Sequence, residues 1–113
     1  MDDPRQFLQE LFAIAVSAAL PRQRLKHHLP PDTSRPAIVI GAGKAAAAMA
    51  AELERHWAGS LSGLVVVPYG HAAECRRIDV MQAAHPVPDA QGERAVRRIL
   101  SLVSDLTTDD LVT

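Results

Sequence analysis

Residues 38–49 read IVIGAGKAAAAM, a short apolar run that ends in Gly-Ala-Gly and continues into a lysine and four alanines. This order predicts a buried strand, a tight turn and a helix, because glycine tolerates turn conformations and alanine is the best helix former. The lysine is unexpected, since the helix N-terminus is the positive end of the helix dipole and a cation there costs about 0.3–1 kcal/mol. Lys44 is one of only two lysines, against ten arginines, so its position needs an explanation.

The segment before this turn predicts a helix and a loop. An Asp-Pro start and apolar side chains at helical spacing predict a helix over residues 4–20. Four prolines then mark residues 21–36 as a loop. His27 and His28 lie in this loop, and we interpret them as part of a solvated basic segment rather than as a metal site, because adjacent side chains point in different directions.

The segments after the turn alternate between strand and helix patterns. The connection between the second and third strands is too short for a long crossover helix, so the direction of the third strand stays open. In chain order, the predicted elements from the first strand onward are Ala37–Ile40 (strand), Lys44–Trp57 (helix), Gly63–Val67 (strand), Arg77–Ala83 (strand), 90–104 (helix) and Leu111–Thr113 (start of a strand). This order predicts an α/β fold of three layers with a largely parallel, Rossmann-like sheet.

Composition narrows the class of protein. The 113 residues allow one domain at most, and 48% of them are hydrophobic, which is enough for a core. The net charge of −1 gives no general reason to expect nucleic acid or a membrane as partner. No secretory signal or membrane-spanning run is apparent, and Cys75 is the single cysteine, so we expect a cytoplasmic protein. The pairs Arg76-Arg77 and Arg97-Arg98 are expected on solvated faces.

Three interpretations of Gly41-Ala-Gly43-Lys44 stay open. The pattern G-x-G-x-x-A is typical of a dinucleotide site, but the acid expected at the end of the next strand is missing. Alternatively, Lys44 contacts the negative charge of an anion that the free N–H groups of the helix also bind. The bland alternative is a tight turn whose lysine reaches into solvent. A standard phosphate loop is excluded, because its first glycine and the Ser/Thr after the lysine are both absent.

Two histidines follow the ends of other predicted strands. Ligands of open α/β sheets bind outside the carboxyl ends of the strands, so these histidines and the glycine turn should share one edge. His71 could contact phosphate or carboxylate or be merely exposed in its turn. His85 is held between a strand end and Pro86, where it could contact a ligand or support a rigid turn. Asp89 is better explained as a helix cap than as a catalytic group.

Three stretches, in this order and spacing, resemble a known family: IVIGAGKAAAAMA (38–50), GLVVVPYGH (63–71) and QAAHPVPDAQG (82–92). They are similar to the N-terminal part of the glycerate kinases of the MOFRL type, also called glycerate 2-kinases, some of which carry the label hydroxypyruvate reductase. The resemblance runs from Phe7 to the strand at Leu111-Val112. It implies that residues 1–113 form the N-terminal portion of a larger α/β domain, with a smaller C-terminal domain absent.

The resemblance also implies a reaction and a site. The reaction is the ATP-dependent phosphorylation of D-glycerate to 2-phosphoglycerate, with Mg²⁺ as the divalent cation. Lys44 would be the catalytic residue, which neutralises charge on the transferring phosphoryl group or orients the substrate. Gly41 and Gly43 would bring the backbone close to the ligand, and His71 and His85 would contact substrate. The implied partners are glycerate and a nucleotide, with a homodimer as an option and neither nucleic acid nor membrane.

Two other functions stay open. One is an NAD(P)H-dependent hydroxypyruvate reductase, which the G-x-G-x-x-A pattern favours. The other is a non-catalytic α/β module that binds an anion. In the kinase interpretation the family's glycine-rich, serine-containing turn comes after the fourth strand and is not part of these residues, so the 113 residues alone should be inactive.

Overall fold

Three parallel strands form the sheet of the computed structural model, which describes residues 3–113. The central strand, β2 (Leu61–Pro68), pairs with β1 (Ala37–Ala42) on one side and with β3 (Asp79–Ala83) on the other. The third strand, whose direction the sequence leaves open, is therefore parallel. The structure confirms the predicted α/β fold with its parallel sheet.

A fourth strand begins beside β1. Val112 forms a parallel bridge with Ile38. The N–H of Ile38 donates to the carbonyl of Leu111 at 2.9 Å, and the N–H of Thr113 donates back to the carbonyl of Ile38 at 3.0 Å. These bonds confirm the strand start predicted at Leu111–Thr113 and place it on the side of β1 opposite to β2.

Helix α3 (Ala46–His56) covers one face of the sheet. Its alanines let it approach closely, since Ala47 and Ala50 are buried and their side chains need little space. The core on this face consists of small and medium apolar side chains: Ala37, Val39, Ala47, Ala50, Leu53, Trp57, Val65, Val67 and Ile78. Successive side chains along β2 point to opposite faces of the sheet. Leu64, which is next to Val65, therefore points to the opposite face.

Helix α4 (Ala90–Leu102) packs on that opposite face. Ala83 aligns with Pro68 in the register of the sheet and so shares its face with Leu64. A Cβ built on Gly92 of α4 would lie 3.7 Å from Cβ of Ala83. Leu64 and Ala95 are fully buried there. Helices on both faces of a parallel sheet give the predicted three layers.

Helix α1 (Pro4–Ala19) begins where the sequence predicts, with the Asp3 carboxylate accepting from the N–H of Arg5 at 2.9 Å. None of its residues is buried. Its large apolar side chains, with Leu20 directly after the helix, are exposed: Phe7, Leu8, Leu11, Phe12, Ile14, Val16 and Leu20. The helix therefore contributes little to the core of the described residues.

The loop predicted over residues 21–36 is only partly a loop. A short helix, α2, occupies Pro21–Arg24, and a 3₁₀ turn follows at Leu25–His27. Pro21 starts a helix as well as ending one, because its fixed φ suits the first helical position. Leu25 and Leu29 then pack against the core beside α3. This fold-back brings the end of the segment over the sheet.

Arg77 closes the C-terminal end of α3, a role that the prediction of a solvated arginine pair misses. Its guanidinium donates to the carbonyls of Trp57 and Gly59, both at 2.9 Å, and also to that of Glu54. The Glu54 carboxylate in turn accepts from the backbone N–H of Arg76 and Arg77 at 2.7 and 3.1 Å. A cation is favourable here because the C-terminus is the negative end of the helix dipole.

Candidate functional site

The glycine turn after β1 leaves open space next to Gly43. Gly43 has a φ of +124°, which L side chains rarely adopt, and a Cβ built on it would meet no described atom within 4 Å. Its N–H donates to the carbonyl of Val66 at 3.0 Å, which fixes the turn against the end of β2. Glycine is therefore required by the backbone conformation, and the space above it can admit a ligand.

Gly41 serves the packing of α3. A Cβ at this position would lie 3.2 Å from Cγ1 of Val65 and 3.6 Å from Cβ of Ala46. The first of these contacts is tighter than most real Cβ contacts, so the missing side chain lets the start of α3 lie close to the sheet. The backbone of Gly41 also lines the cavity described below.

Lys44 precedes α3 rather than beginning it. The helix starts at Ala46, so the boundary predicted at Lys44 is two residues too early. The carbonyl of Gly43 accepts from the N–H of Ala46 at 3.2 Å, and this closes a turn before the first helical bond, from the N–H of Met49 to the carbonyl of Ala45 at 2.9 Å. The lysine is exposed in that turn. Because it precedes the first turn of the helix, its charge is less unfavourable there than it would be within that turn.

Among residues 3–113, no side chain caps the N-terminus of α3. Its N-cap residue is Ala45, which offers no side-chain acceptor, and its φ and ψ of −96° and −4° are helical. The first N–H groups of a helix have no partner within the helix. At α3 a cation therefore directly precedes a helix start that no side chain caps, and such an arrangement suits a negatively charged group.

A cavity of about 500 Å³ lies beside this turn. Small-molecule sites commonly have about 300–1,000 Å³. Lys44, Gly43 and His28 line it, together with an apolar wall that includes Leu25 and Met49. The cavity thus joins an apolar surface to a cationic rim.

His28 is a cavity residue that sequence reasoning missed. The sequence places it in a proline-rich segment and provides no pattern that would single it out. Only the fold-back of the 3₁₀ turn against α3 brings it to the same cavity as Lys44. It is exposed, so its ring is accessible to solvent and to a ligand.

His71 lies in the turn that follows β2. Its N–H donates to the carbonyl of Pro68 at 3.1 Å, and its ring Nδ1 lies 3.3 Å from the carbonyl of Tyr69. Because a carbonyl only accepts, Nδ1 is the donor in this contact, and among the described residues Nε2 has no hydrogen-bond partner. The side chain is exposed at the carboxyl edge of the sheet.

His85 lies in the loop between β3 and α4, directly before a cis peptide bond to Pro86, and is exposed. Since Pro68 and Ala83 align at the ends of β2 and β3, the loops that carry His71 and His85 are neighbours. Among the described residues, neither histidine lines the cavity beside Lys44. The structure thus brings Gly41, Gly43 and Lys44 to one cavity and the two histidines to adjacent loops of the same sheet edge.

Asp89 caps α4, as the sequence predicts. Its Oδ1 accepts from the N–H of Gly92 at 3.1 Å and from the N–H of Ala84 at 3.2 Å. Its Oδ2 accepts from the hydroxyl of Tyr69 at 2.6 Å. This last bond holds the pKa of Asp89 below its ordinary value, with the two N–H donors acting in the same direction. The same bond raises the pKa of Tyr69.

Other candidate chemistries find little support. Burial raises the pKa of the Cys75 thiol, whose Sγ lies 3.8 Å from the carbonyl of Ala47, so the thiol is a weak nucleophile. Within residues 3–113, no three His, Cys, Asp or Glu side chains are arranged to hold a metal ion. Strand β2 ends at Pro68 without the acid that a dinucleotide site would place there.

The family described as "Domain of unknown function (DUF4147)" matches residues 7–113. This match covers nearly the whole chain. The chain belongs to the DUF4147 family. None of the helices in the described part of this DUF4147 chain is both long and apolar enough to cross a bilayer.

Relatives of the DUF4147 chain carry two kinds of name. It is 43% identical over 109 residues to an Agrobacterium vitis protein named "Putative hydroxypyruvate reductase", covering 96% of this chain and 25% of that protein. It is 33% identical over 105 residues to a Thermotoga maritima protein named D-glycerate 2-kinase, covering 91% of this chain and 25% of that protein. The chain spans about a quarter of the length of the curated relatives it matches.

Solved structures support the same relationship. A crystal structure of glycerate kinase from Thermotoga maritima superposes with a TM-score of 0.77 at 32% identity, covering 91% of this chain and 25% of that one. A crystal structure of a Pyrococcus horikoshii protein superposes with a TM-score of 0.76 at 27% identity, covering 99% of this chain and 28% of that one. The resemblance to the glycerate kinases is thereby confirmed, together with the fold that it implies.

Proposed function

We propose that the protein containing this chain is an ATP-dependent kinase that phosphorylates D-glycerate to 2-phosphoglycerate. The observation that carries the proposal is the position of Lys44, exposed at an open glycine turn, before an uncapped helix and on the rim of a cavity of about 500 Å³. The names of the Thermotoga maritima relatives support both the substrate and the position that is phosphorylated.

Lys44 acts by charge. Phosphoryl transfer leaves little covalent chemistry to the protein, so catalysis is mostly positioning and electrostatic stabilisation. The ammonium group neutralises negative charge on the transferring phosphoryl group or orients the glycerate carboxylate. Gly43 permits close approach of the backbone, and the N–H groups at the start of α3 add favourable dipoles. His71 and His85 contact the acceptor from the adjacent loops.

The implied ligands fit this chain to different degrees. The turn at Lys44 offers a cation and N–H donors, which suit the phosphates of ATP. Mg²⁺ requires oxygen ligands, and the described residues provide no cluster of three ligating side chains. Mg²⁺ is commonly held through substrate phosphates with one or two carboxylates, and we assign none of those carboxylates to this chain.

A hydroxypyruvate reductase is the second candidate, because the Agrobacterium vitis relative carries that name and G-x-G-x-x-A is present. The end of β2 argues against it. The ribose hydroxyl of NAD is normally bound by an acid there, whereas this strand ends in Val67 and Pro68.

The test is a pair of assays on the full-length protein. With D-glycerate, ATP and Mg²⁺, we expect equimolar ADP and 2-phosphoglycerate, measured by chromatography. With hydroxypyruvate and NADH or NADPH, we expect no loss of absorbance at the nicotinamide band. Reduction of hydroxypyruvate without ADP formation from glycerate would overturn the kinase proposal. Activity in neither assay would favour the non-catalytic module.

A further inference from the structure

A tyrosine links the two histidine loops through a helix cap. The hydroxyl of Tyr69, in the turn after β2, donates to Oδ2 of Asp89, at the N-terminus of α4, at 2.6 Å. The cap itself uses the other carboxylate oxygen, which accepts from the N–H groups of Ala84 and Gly92. The bond to Tyr69 is therefore additional to what the helix requires.

The link adds geometric restriction rather than much stability. Tyr69 is 54% exposed, and water competes for both groups of an exposed hydrogen bond, which keeps its net contribution small. The bond nevertheless joins residues 20 positions apart in sequence and fixes one loop against the other. As a consequence of this bond, the pKa of Tyr69 is raised and the pKa of Asp89 is lowered.

The same turn is held at further points. The N–H of Gly70 donates to the side-chain carbonyl of Gln82, on β3, at 2.8 Å. The N–H of His71 donates to Pro68, and the His71 ring contacts the carbonyl of Tyr69 through Nδ1. Tyr69 therefore carries two constraints: its hydroxyl reaches Asp89, and its carbonyl orients the His71 ring with Nε2 free.

We propose that Tyr69 and Asp89 form a positioning pair that holds the His71 turn against the His85 loop, so that Nε2 of His71 faces the acceptor substrate in one orientation. Neither residue of the pair contacts the substrate. The inference rests on the proposed function, because it needs a substrate that binds at the carboxyl edge of the sheet. It assigns the pair to the acceptor, glycerate, rather than to the nucleotide.

The experiment is a double-mutant cycle in the full-length protein. Tyr69→Phe removes only the hydroxyl, and Asp89→Ser keeps a good N-cap with a side chain too short to reach Tyr69. We expect each to lower kcat/KM for D-glycerate about tenfold, since small misplacements of catalytic contacts have effects of this order. The KM for ATP should not change. The double variant should lose no more than either single variant, because both remove one bond.

Two further variants separate positioning from stability. Asp89→Asn retains the cap and a polar atom opposite the Tyr69 hydroxyl, so it should recover most of the activity. Asp79→Asn makes the same chemical change at the opposite end of β3, where Asp79 pairs with Arg98, and should leave kcat/KM unchanged. Full activity of Tyr69→Phe, or losses that multiply in the double variant, would overturn the pair.

A spectroscopic measurement keeps this inference separate from the proposed function. Tyr69 is the only tyrosine in residues 1–113, and the absorbance difference between the wild type and Tyr69→Phe isolates it in the full-length protein. We expect it to ionise above its ordinary pKa of 10.0 and to return toward that value in Asp89→Ser. If the wild type lacks kinase activity, the proposed function fails. If the titration is the same in both proteins, the pair does not exist.

Discussion

Two helices in this chain follow the carboxyl ends of parallel strands, α3 after β1 and α4 after β3, and their N-termini are built in opposite ways. At α4, Asp89 accepts from the N–H of Gly92 and supplies a negative charge to the positive end of the helix dipole. At α3, the cap position is Ala45 and the nearest charge is the cation Lys44. The first N-terminus is satisfied by the chain itself, and the second is open.

This difference indicates where an anion can bind. Replacing a good N-cap residue by alanine typically costs about 0.5–2 kcal/mol, so the start of α3 is less stable than its length would allow. A bound phosphate or carboxylate would supply the missing acceptor and compensate Lys44. At the start of α4 the Asp89 carboxylate already serves as this acceptor, so a bound anion is not needed there.

The largest expected effect comes from removing the cation at the open end. Lys44→Ala in the full-length protein should lower kcat/KM about 10²–10³-fold, as expected when one preorganised charge or donor at a transition state is lost. Steady-state kinetics with D-glycerate and ATP measure it. Lys26→Ala, at the other lysine of the chain, is the matched control and should retain full activity.

A smaller effect should follow from giving α3 the charge that α4 has. Ala45→Asp places a carboxylate beside Lys44, and should weaken binding of ATP about five- to tenfold, which corresponds to about 1–1.4 kcal/mol. The melting temperature should stay the same or rise, because the new charge favours the helix dipole. Calorimetric titration and thermal denaturation measure the two quantities. Tighter binding would contradict an anion site.

Removing the cap of α4 should affect stability. Asp89→Ala deletes the acceptor for Gly92 and Ala84, and should lower the melting temperature by about 2–4 °C. Asp89→Ser keeps a capping oxygen and should recover most of that loss. If Asp89→Ala melts like the wild type, the cap does not contribute to stability in the way the structure indicates.

The smallest effect concerns pH. The pKa of Asp89 is lowered in the folded chain, so its charge contributes stability above the ordinary value of 3.8, and this contribution is lost as the pH falls through the lowered value. Asparagine caps equally well but does not titrate. The difference in melting temperature between wild type and Asp89→Asn should therefore be constant near neutral pH and shrink in acid. A difference in melting temperature that grows in acid would contradict a lowered pKa of Asp89 in the folded chain.

Local patterns in the sequence predict most of the fold. The glycine turn, the alanine-rich helix α3 and the cap at Asp89 each depend on residues close together in the chain, and the structure confirms all three. The predicted start of α3 lies two residues before the observed start, because the turn closed by Gly43 and Ala46 precedes the first helical bond. Helix propensity alone does not distinguish such a turn from the helix.

Contacts between distant residues were not predictable. Tyr69 and Asp89 are 20 positions apart, and Arg77 is 18 from the carbonyl of Gly59. His28 reaches the cavity only because the segment after α2 folds back on α3. No periodicity or motif in the sequence predicts these contacts, since they depend on how the helices pack on the sheet. The additions to the candidate site accordingly come from tertiary structure.

Hydrogen–deuterium exchange in the full-length protein tests the contrast between the two helix starts most directly. Peptides over residues 41–49 and 90–97 report on the starts of α3 and α4, with and without ATP and D-glycerate. We predict slower exchange on ligand binding for residues 41–49 and no change for residues 90–97. Protection confined to residues 90–97, or no protection at residues 41–49 under saturating ligand, would contradict an anion site at Lys44.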